Sequence, residues 1–95
     1  MHIETLKVFC DLVDMQSFSL AAERNFVTQS AVSQQVRTLE DKFKRRLLER
    51  VRGRREVRLT PAGEVFYREC RNVLDTYDQL NELSLIHISE PTRPY

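Results

Sequence analysis

Apolar residues recur along this chain at the three- and four-residue spacings of amphipathic helices. Ile3, Leu6, Cys10 and Val13, widened by Phe9 and Leu12, predict a helix over about 3–15 with Glu4, Lys7, Asp11 and Asp14 on its solvated side. Gln16 and Ser17 interrupt the pattern, and Phe18 offers a ring to plug the core between neighbouring helices. Ser19 suits the N-cap of a short helix from Leu20 to about Asn25, because its hydroxyl can accept from a free first-turn N–H. Small Ala21 and Ala22 let another helix cross closely. Asn25 tolerates the left-handed conformation that ends a helix, with Phe26 and Val27 expected to bury the turn. Thr28 then caps a longer helix over 28–42, whose buried stripe is Val32, Val36 and Leu39. A short helix, a tight turn and a longer helix make a helix-turn-helix.

Beyond Leu39 the core side stays supplied by Phe43, Leu47 and Leu48, with a break expected within 44–46 although no Gly or Pro marks it. Two short strands, Leu48–Val51 and Glu56–Leu59, are predicted around R-G-R-R, where Gly53 provides the positive φ of a turn. A basic hairpin placed directly after a helix-turn-helix is a wing. Thr60 and Pro61 announce another helix, since proline at the first helical position loses no hydrogen bond. There Phe66, Cys70, Val73, Tyr77 and Leu80 alternate spacings of four and three, the seam of a coiled coil. So long an apolar edge on so small a unit predicts pairing with a second copy, a homodimer with two-fold symmetry. The expected fold class is mainly α with a small β-hairpin: a winged helix-turn-helix at 1–60 followed by a long linker or dimerisation helix at 61–82.

Charge sharpens this picture. The net charge of +1 over 95 residues conceals a strong segregation. Met1–Val36 carries two bases and four acids, whereas Arg37–Arg58 carries ten bases and four acids. One-signed charge concentrated in one block points to a polyanion. On the leading face of the helix at 28–42, Thr28, Gln29, Ser30, Ser33, Gln34 and Arg37 present hydroxyls, amides and a guanidinium, with no acid before Glu40. Such groups hydrogen-bond base edges and phosphates. Arg52, Arg54 and Arg55 at the wing suit phosphates or a narrow minor groove, where negative potential is concentrated. Double-stranded DNA is therefore the expected partner. The alternative is a protein-interaction module that keeps the same shape, pairs through its apolar seam and offers the basic block to an acidic protein.

Other chemistries find little footing. His2 and His87 stand near the ends, the carboxylates are scattered over helix faces, and Gly53 and Gly63 are the only glycines, so no phosphate loop exists. Cys10 and Cys70 lie far apart in sequence without the paired spacing of a zinc site, and both are expected to be reduced core residues. No enzyme activity, cofactor or metal is expected. Neither a signal peptide nor a membrane-spanning stretch is evident, so a cytoplasmic location is expected.

Five segments carry a family resemblance: S-F-S-L-A-A-E-R at 17–24, V-T-Q-S-A-V-S-Q-Q-V at 27–36, L-E at 39–40, L-L-E-R at 47–50 and R-L-T-P-A-G at 58–63. In this order and spacing they resemble the N-terminal domain of the LysR-type transcriptional regulators. The resemblance implies a domain that binds operator DNA, a helix after the wing that links and dimerises subunits, and a C-terminal effector domain that senses a small-molecule inducer. That effector domain is not among these residues. Carried over by position, Gln29, Ser30, Ser33 and Gln34 are implied to read bases and phosphates, with Arg37, Arg52 and Arg54 on the backbone or in a minor groove. Where the family commonly has glycine this chain has Lys44, which implies a differently formed or strained helix end. The last stretch, L-S-L-I-H-I-S-E-P-T-R-P-Y at 83–95, departs from the family and resembles the translated end of a transposase sequencing adapter. Its Pro91 and Pro94 forbid a regular helix there, and it is expected to be non-native.

Overall fold

The computed structural model describes residues 2–49 and 57–89, with side chains described as far as Leu83. Four helices follow one another: α1 (Ile3–Met15), α2 (Phe18–Arg24), α3 (Gln29–Phe43) and α4 (Pro61–Ser89). α1 is the hub and packs on the other three. Its middle is buried nearly all round, through Leu6, Val8, Phe9, Cys10 and Leu12. It ends at Gln16, which turns left-handed at φ 54° and returns its N–H to Leu12 O.

The second helix starts earlier than its pattern suggested. Ser17, rather than Ser19, is the cap, its Oγ accepting from Leu20 N–H at 3.1 Å. Phe18 is therefore the first residue of α2. Ala21 and Ala22 are buried in α2, which packs on both α1 and α3, and their small side chains permit close approach.

The turn of the helix-turn-helix also differs from expectation. Asn25 has φ −102°, and the left-handed residue is Phe26 at φ 56°. Phe26 does not bury the turn; it is 96% exposed. Asn25 is held elsewhere, its Nδ2 donating to Asp11 Oδ2 at 2.9 Å and to Ala21 O at 2.8 Å. Lys7 Nζ donates to both Asp11 and Asn25, so Asp11 is no solvated ornament but the anchor that ties α1 to the turn.

α3 is capped by Thr28 and buried along Val32, Val36 and Leu39, as its spacing predicts. It stops at Lys44, which adopts φ 57° and ψ 37°. The N–H groups of Lys44 and Arg45 both return to Glu40 O. The break expected within 44–46 is thus a left-handed cap made without glycine.

Of the expected hairpin, only the base falls among the described residues. Among the described residues there is no strand, only one antiparallel bridge, Leu48 with Leu59, in which Glu49 N–H donates to Arg58 O at 2.9 Å. The segment that would carry the rest of the ladder, 50–56, lies outside the described residues.

α4 opens on Thr60, whose Oγ1 accepts from Gly63 N–H at 2.9 Å while donating to Arg46 O. Its root is fixed by Phe66, whose ring meets Phe9 edge-on at 5.2 Å and Phe43 at 5.2 Å. Beyond the core it projects as a rod, which gives the molecule extents of 59 × 25 × 19 Å. The helix extends to Ser89, past the expected end at 82, because no helix breaker occurs before the disfavoured position that precedes Pro91.

Candidate nucleic-acid interface

The leading face of α3 is built from its cap upward. Thr28 Oγ1 accepts from Ala31 N–H at 3.0 Å, which satisfies one free donor and fixes where the helix begins. The stripe Val32, Val36 and Leu39 is then forced into the core, and the opposite side of the helix is forced outward. Gln29, Ser30, Gln34 and Arg37 are exposed and Ser33 is half-buried. These five residues line one depression of about 590 Å³ together with Phe18 from the start of α2. No acid lines it, and none lies in the first turn of α3, where the helix dipole favours anions.

Phe18 is the member that pattern reading missed. It packs partly on the core, as expected, and also lines this depression. At the far end of α3, Arg37 is shared with a second depression of about 460 Å³ lined also by Glu40, Asp41, Lys44, Arg45 and Arg46. There the bases are interleaved with two acids, so the field is mixed rather than one-signed.

Arg52, Arg54 and Arg55 lie outside the described residues. The base from which they spring is firmly held. Glu40 Oε2 accepts from Leu47 N–H at 2.9 Å and Leu48 N–H at 3.3 Å, while Leu47, Leu48 and Val57 are buried.

The five seam residues of α4 divide into two groups. Phe66 is half-buried against Phe9 and Phe43, and Cys70 is only 3% exposed, so both are spent on packing within the chain. Val73, Tyr77 and Leu80 remain exposed. With Ile3, Asn72 and Thr76 they line an apolar groove of about 340 Å³. Leu83, three residues on, is exposed as well, although the alternation of four and three would fall on position 84.

Residues 3–64 match the family described as bacterial regulatory helix-turn-helix protein, lysR family. The chain belongs to the LysR family. It is 36% identical over 80 residues to the HTH-type transcriptional regulator BenM of Acinetobacter baylyi, covering 84% of this chain and 26% of BenM. It is also 36% identical over 93 residues to the nitrogen assimilation regulatory protein nac of Klebsiella aerogenes, covering 98% of this chain and 30% of that protein. This LysR-family chain thus spans between a quarter and a third of the length of the curated relatives it matches. Among solved structures, the BenM DNA-binding domain in complex with catB site 1 DNA superposes with a TM-score of 0.85 at 34% identity, covering 94% of this chain and 97% of that one. The CbnR DNA-binding domain in complex with DNA superposes with a TM-score of 0.80 at 28% identity, covering 93% and 99%. Among the described residues of the LysR-family chain, no group of three His, Cys, Asp or Glu is placed to hold a metal ion, and no helix is long and apolar enough to cross a membrane.

Proposed function

We propose that this chain is the operator-reading part of a transcriptional regulator, working as a homodimer on double-stranded DNA. α3 enters the major groove with Gln29, Ser30, Ser33 and Gln34 toward base edges and phosphates, and Thr28 and Arg37 flank them on the backbone. Arg52, Arg54 and Arg55 join on the strength of the sequence as backbone or minor-groove contacts of a wing. The exposed edge Val73, Tyr77 and Leu80 pairs with a second copy, while Phe66 and Cys70 set the root of the same helix. In this reading residues 1–60 form the winged helix-turn-helix, 61–82 the linker helix and 83–95 a non-native tail. An inducer would bind in the part of the regulator that this chain does not span.

The observation that carries the reading is the acid-free depression where five polar side chains of α3 converge. Support also comes from solved DNA complexes of relatives with the same four-helix shape. The test is selection of random-sequence duplex DNA by the full chain at near-physiological salt. A palindrome with half-sites about one helical turn or a multiple apart is the expected product. Absence of binding at any moderate salt would overturn the reading and favour the protein-interaction module.

A further inference from the structure

Four of the five residues at 42–46 are bases, and none of them has a part in the proposed reading of DNA. Lys42, Lys44, Arg45 and Arg46 are all exposed. Among the described residues no carboxylate forms an ion pair with any of them. The negative end of the helix dipole favours a base in the last turn of α3, where Lys42 stands, but its influence fades within that turn. It does not call for Arg45 and Arg46 beyond the helix end. Lys42 turns toward α1 and lines a separate depression with Thr5 and Thr38, which leaves Lys44, Arg45 and Arg46 as one group.

Register connects this group to the reader face. Ser33, Arg37, Glu40 and Lys44 follow at spacings of four, three and four, so they stand one above another along one side of α3. Arg37 lines both the reader depression and the depression of Lys44, Arg45 and Arg46, so the two adjoin at that residue. Of the two acids in the second depression, Glu40 is drawn to the backbone, its Oε2 accepting from Leu47 and Leu48 N–H. Asp41 is exposed beside the bases. We infer that Lys44, Arg45 and Arg46 form a phosphate clamp, which holds the DNA backbone outside the bases that α3 reads. The clamp rests on the proposed function and lengthens the same interface.

Helix length decides why phosphates and not bases meet this end. α3 has 15 residues, about 22 Å at 1.5 Å for each. The major groove is about 12 Å wide and winds around the duplex, so a straight helix of this length cannot stay at base edges from end to end. With its first two turns at the bases, its last turn rises to the phosphates on the groove wall. Lys44 stands about 10 Å beyond Arg37 along the axis, roughly three nucleotides at 3.4 Å of rise per strand. The clamp therefore falls on phosphates up to about three nucleotides beyond the one that Arg37 holds. Arg45 Nη1 donates to Lys44 O at 3.2 Å, which holds the guanidinium against the helix end with further N–H groups to spare. Such contacts carry no sequence information; they add affinity for every duplex and steepen its salt dependence. Asp41 opposes them by repelling the same phosphates.

The test compares the unsubstituted full chain with a triple variant, Lys44→Asn, Arg45→Gln and Arg46→Gln, on a duplex recovered by selection and on a scrambled one at several salt concentrations. Asparagine tolerates the left-handed backbone at position 44. The expected slope of log affinity against log salt is shallower by about two to three per half-site on both duplexes, with sequence preference unchanged. Asp41→Asn is expected to tighten binding to both duplexes by about two- to five-fold, a gain that a merely structural role would not produce. Should the triple variant not fold, Arg46→Gln alone decides the matter: phosphates whose ethylation weakens binding of the unsubstituted chain outside the recognised bases are expected to lose that effect in the variant. An unchanged salt slope, or an ethylation pattern that Arg46→Gln leaves as it was, would overturn the clamp while recognition by α3 stands. Absence of binding to any duplex would overturn the proposed function and the clamp with it.

Discussion

Glu40 and Leu47 are joined across the end of α3 by a hydrogen bond of 2.9 Å from the Leu47 backbone N–H to the Glu40 carboxylate, and Leu48 N–H shares the same oxygen at 3.3 Å. A carboxylate facing two N–H groups of a buried segment is a charge-assisted arrangement, stronger than its neutral counterpart. Glu40→Ala would leave those donors without this acceptor and is expected to destabilise the fold by about 1–3 kcal/mol in urea unfolding. Glu40→Gln keeps an acceptor without the charge and is expected to lose only part of that. Equal losses for the two variants would mean that packing, not the carboxylate, is what matters there.

Gly63 faces the other side of the same residue. A Cβ built on it would lie 2.0 Å from Leu47 O, and that oxygen is already committed to Thr60 N–H at 3.0 Å. Backbone cannot give way as a flexible side chain can. Gly63→Ala is accordingly expected to cost about 3 kcal/mol or more, seen as loss of cooperative unfolding or a large fall in Tm. A wild-type Tm would show that α4 can start farther from Leu47 than it does here.

What was legible in the sequence was what one helix face dictates to itself. Val32, Val36 and Leu39 place α3 within a residue of where it lies, because their spacing admits one buried stripe. Thr28 and Thr60 announce helix starts since a cap acts only on its own first turn. The same rule points to Ser19, whereas the chain leaving α1 starts α2 directly after Ser17, whose Oγ takes the Leu20 N–H. Asn25 was the reasonable residue for a positive φ, yet its side chain is engaged by Asp11 on another helix and the conformation passes to Phe26. The splitting of the α4 seam, with Cys70 buried and Val73, Tyr77 and Leu80 exposed, is a tertiary fact of the same kind. Five of the residues that line the depression were identifiable by residue type on one face; Phe18 beside them was not, since its ring also satisfies the core.

Lys44 is a place where the local backbone asks for a different residue. A lysine at φ 57° and ψ 37° keeps its Cβ close to the following carbonyl, a crowding that glycine escapes. Lys44→Gly is expected to stabilise the fold by about 0.5–1 kcal/mol, after the extra freedom glycine gives the unfolded chain is set against the relief of strain. Thermal and urea unfolding would measure it. A destabilised variant would indicate that the lysine side chain makes a contribution that outweighs its backbone cost.

Tyr67 on α4 donates its hydroxyl to Asp14 on α1, and this bond to a carboxylate, with burial acting in the same direction, pushes the phenol from 10.0 up to about 12. The folded value lies above the unfolded one, so the protonated phenol is the form the fold stabilises. That contribution is fully present below pH 10 and is lost as pH rises through 12. Subtracting the ultraviolet titration of Tyr67→Phe from that of the unsubstituted chain should therefore leave a tyrosinate step near 12. Asp14→Asn is expected to move the step toward 10, and a step already at 10 in the unsubstituted chain would remove Asp14 as the cause.

Gln29 and Arg37 both line the depression on α3, and in the proposed function the first reads while the second holds. Gln29 stands in the first turn, where an amide can donate to one base atom and accept from another, a pairing that only certain base pairs satisfy. Gln29→Ala is expected to relax preference at one position of each half-site, by about 1–3 kcal/mol of discrimination, and to alter nonspecific affinity little. Arg37 lies two turns farther along, where the proposed function sets its guanidinium on a phosphate. Arg37→Ala is expected to weaken every duplex to a similar degree and to reduce the slope of log affinity against log salt by about one per half-site. Titrations of a selected site and a scrambled duplex at several salt concentrations would measure both effects. If Arg37→Ala changed sequence preference and left the salt slope intact, α3 would have to lie deeper in the groove along its length, with Arg37 itself at a base.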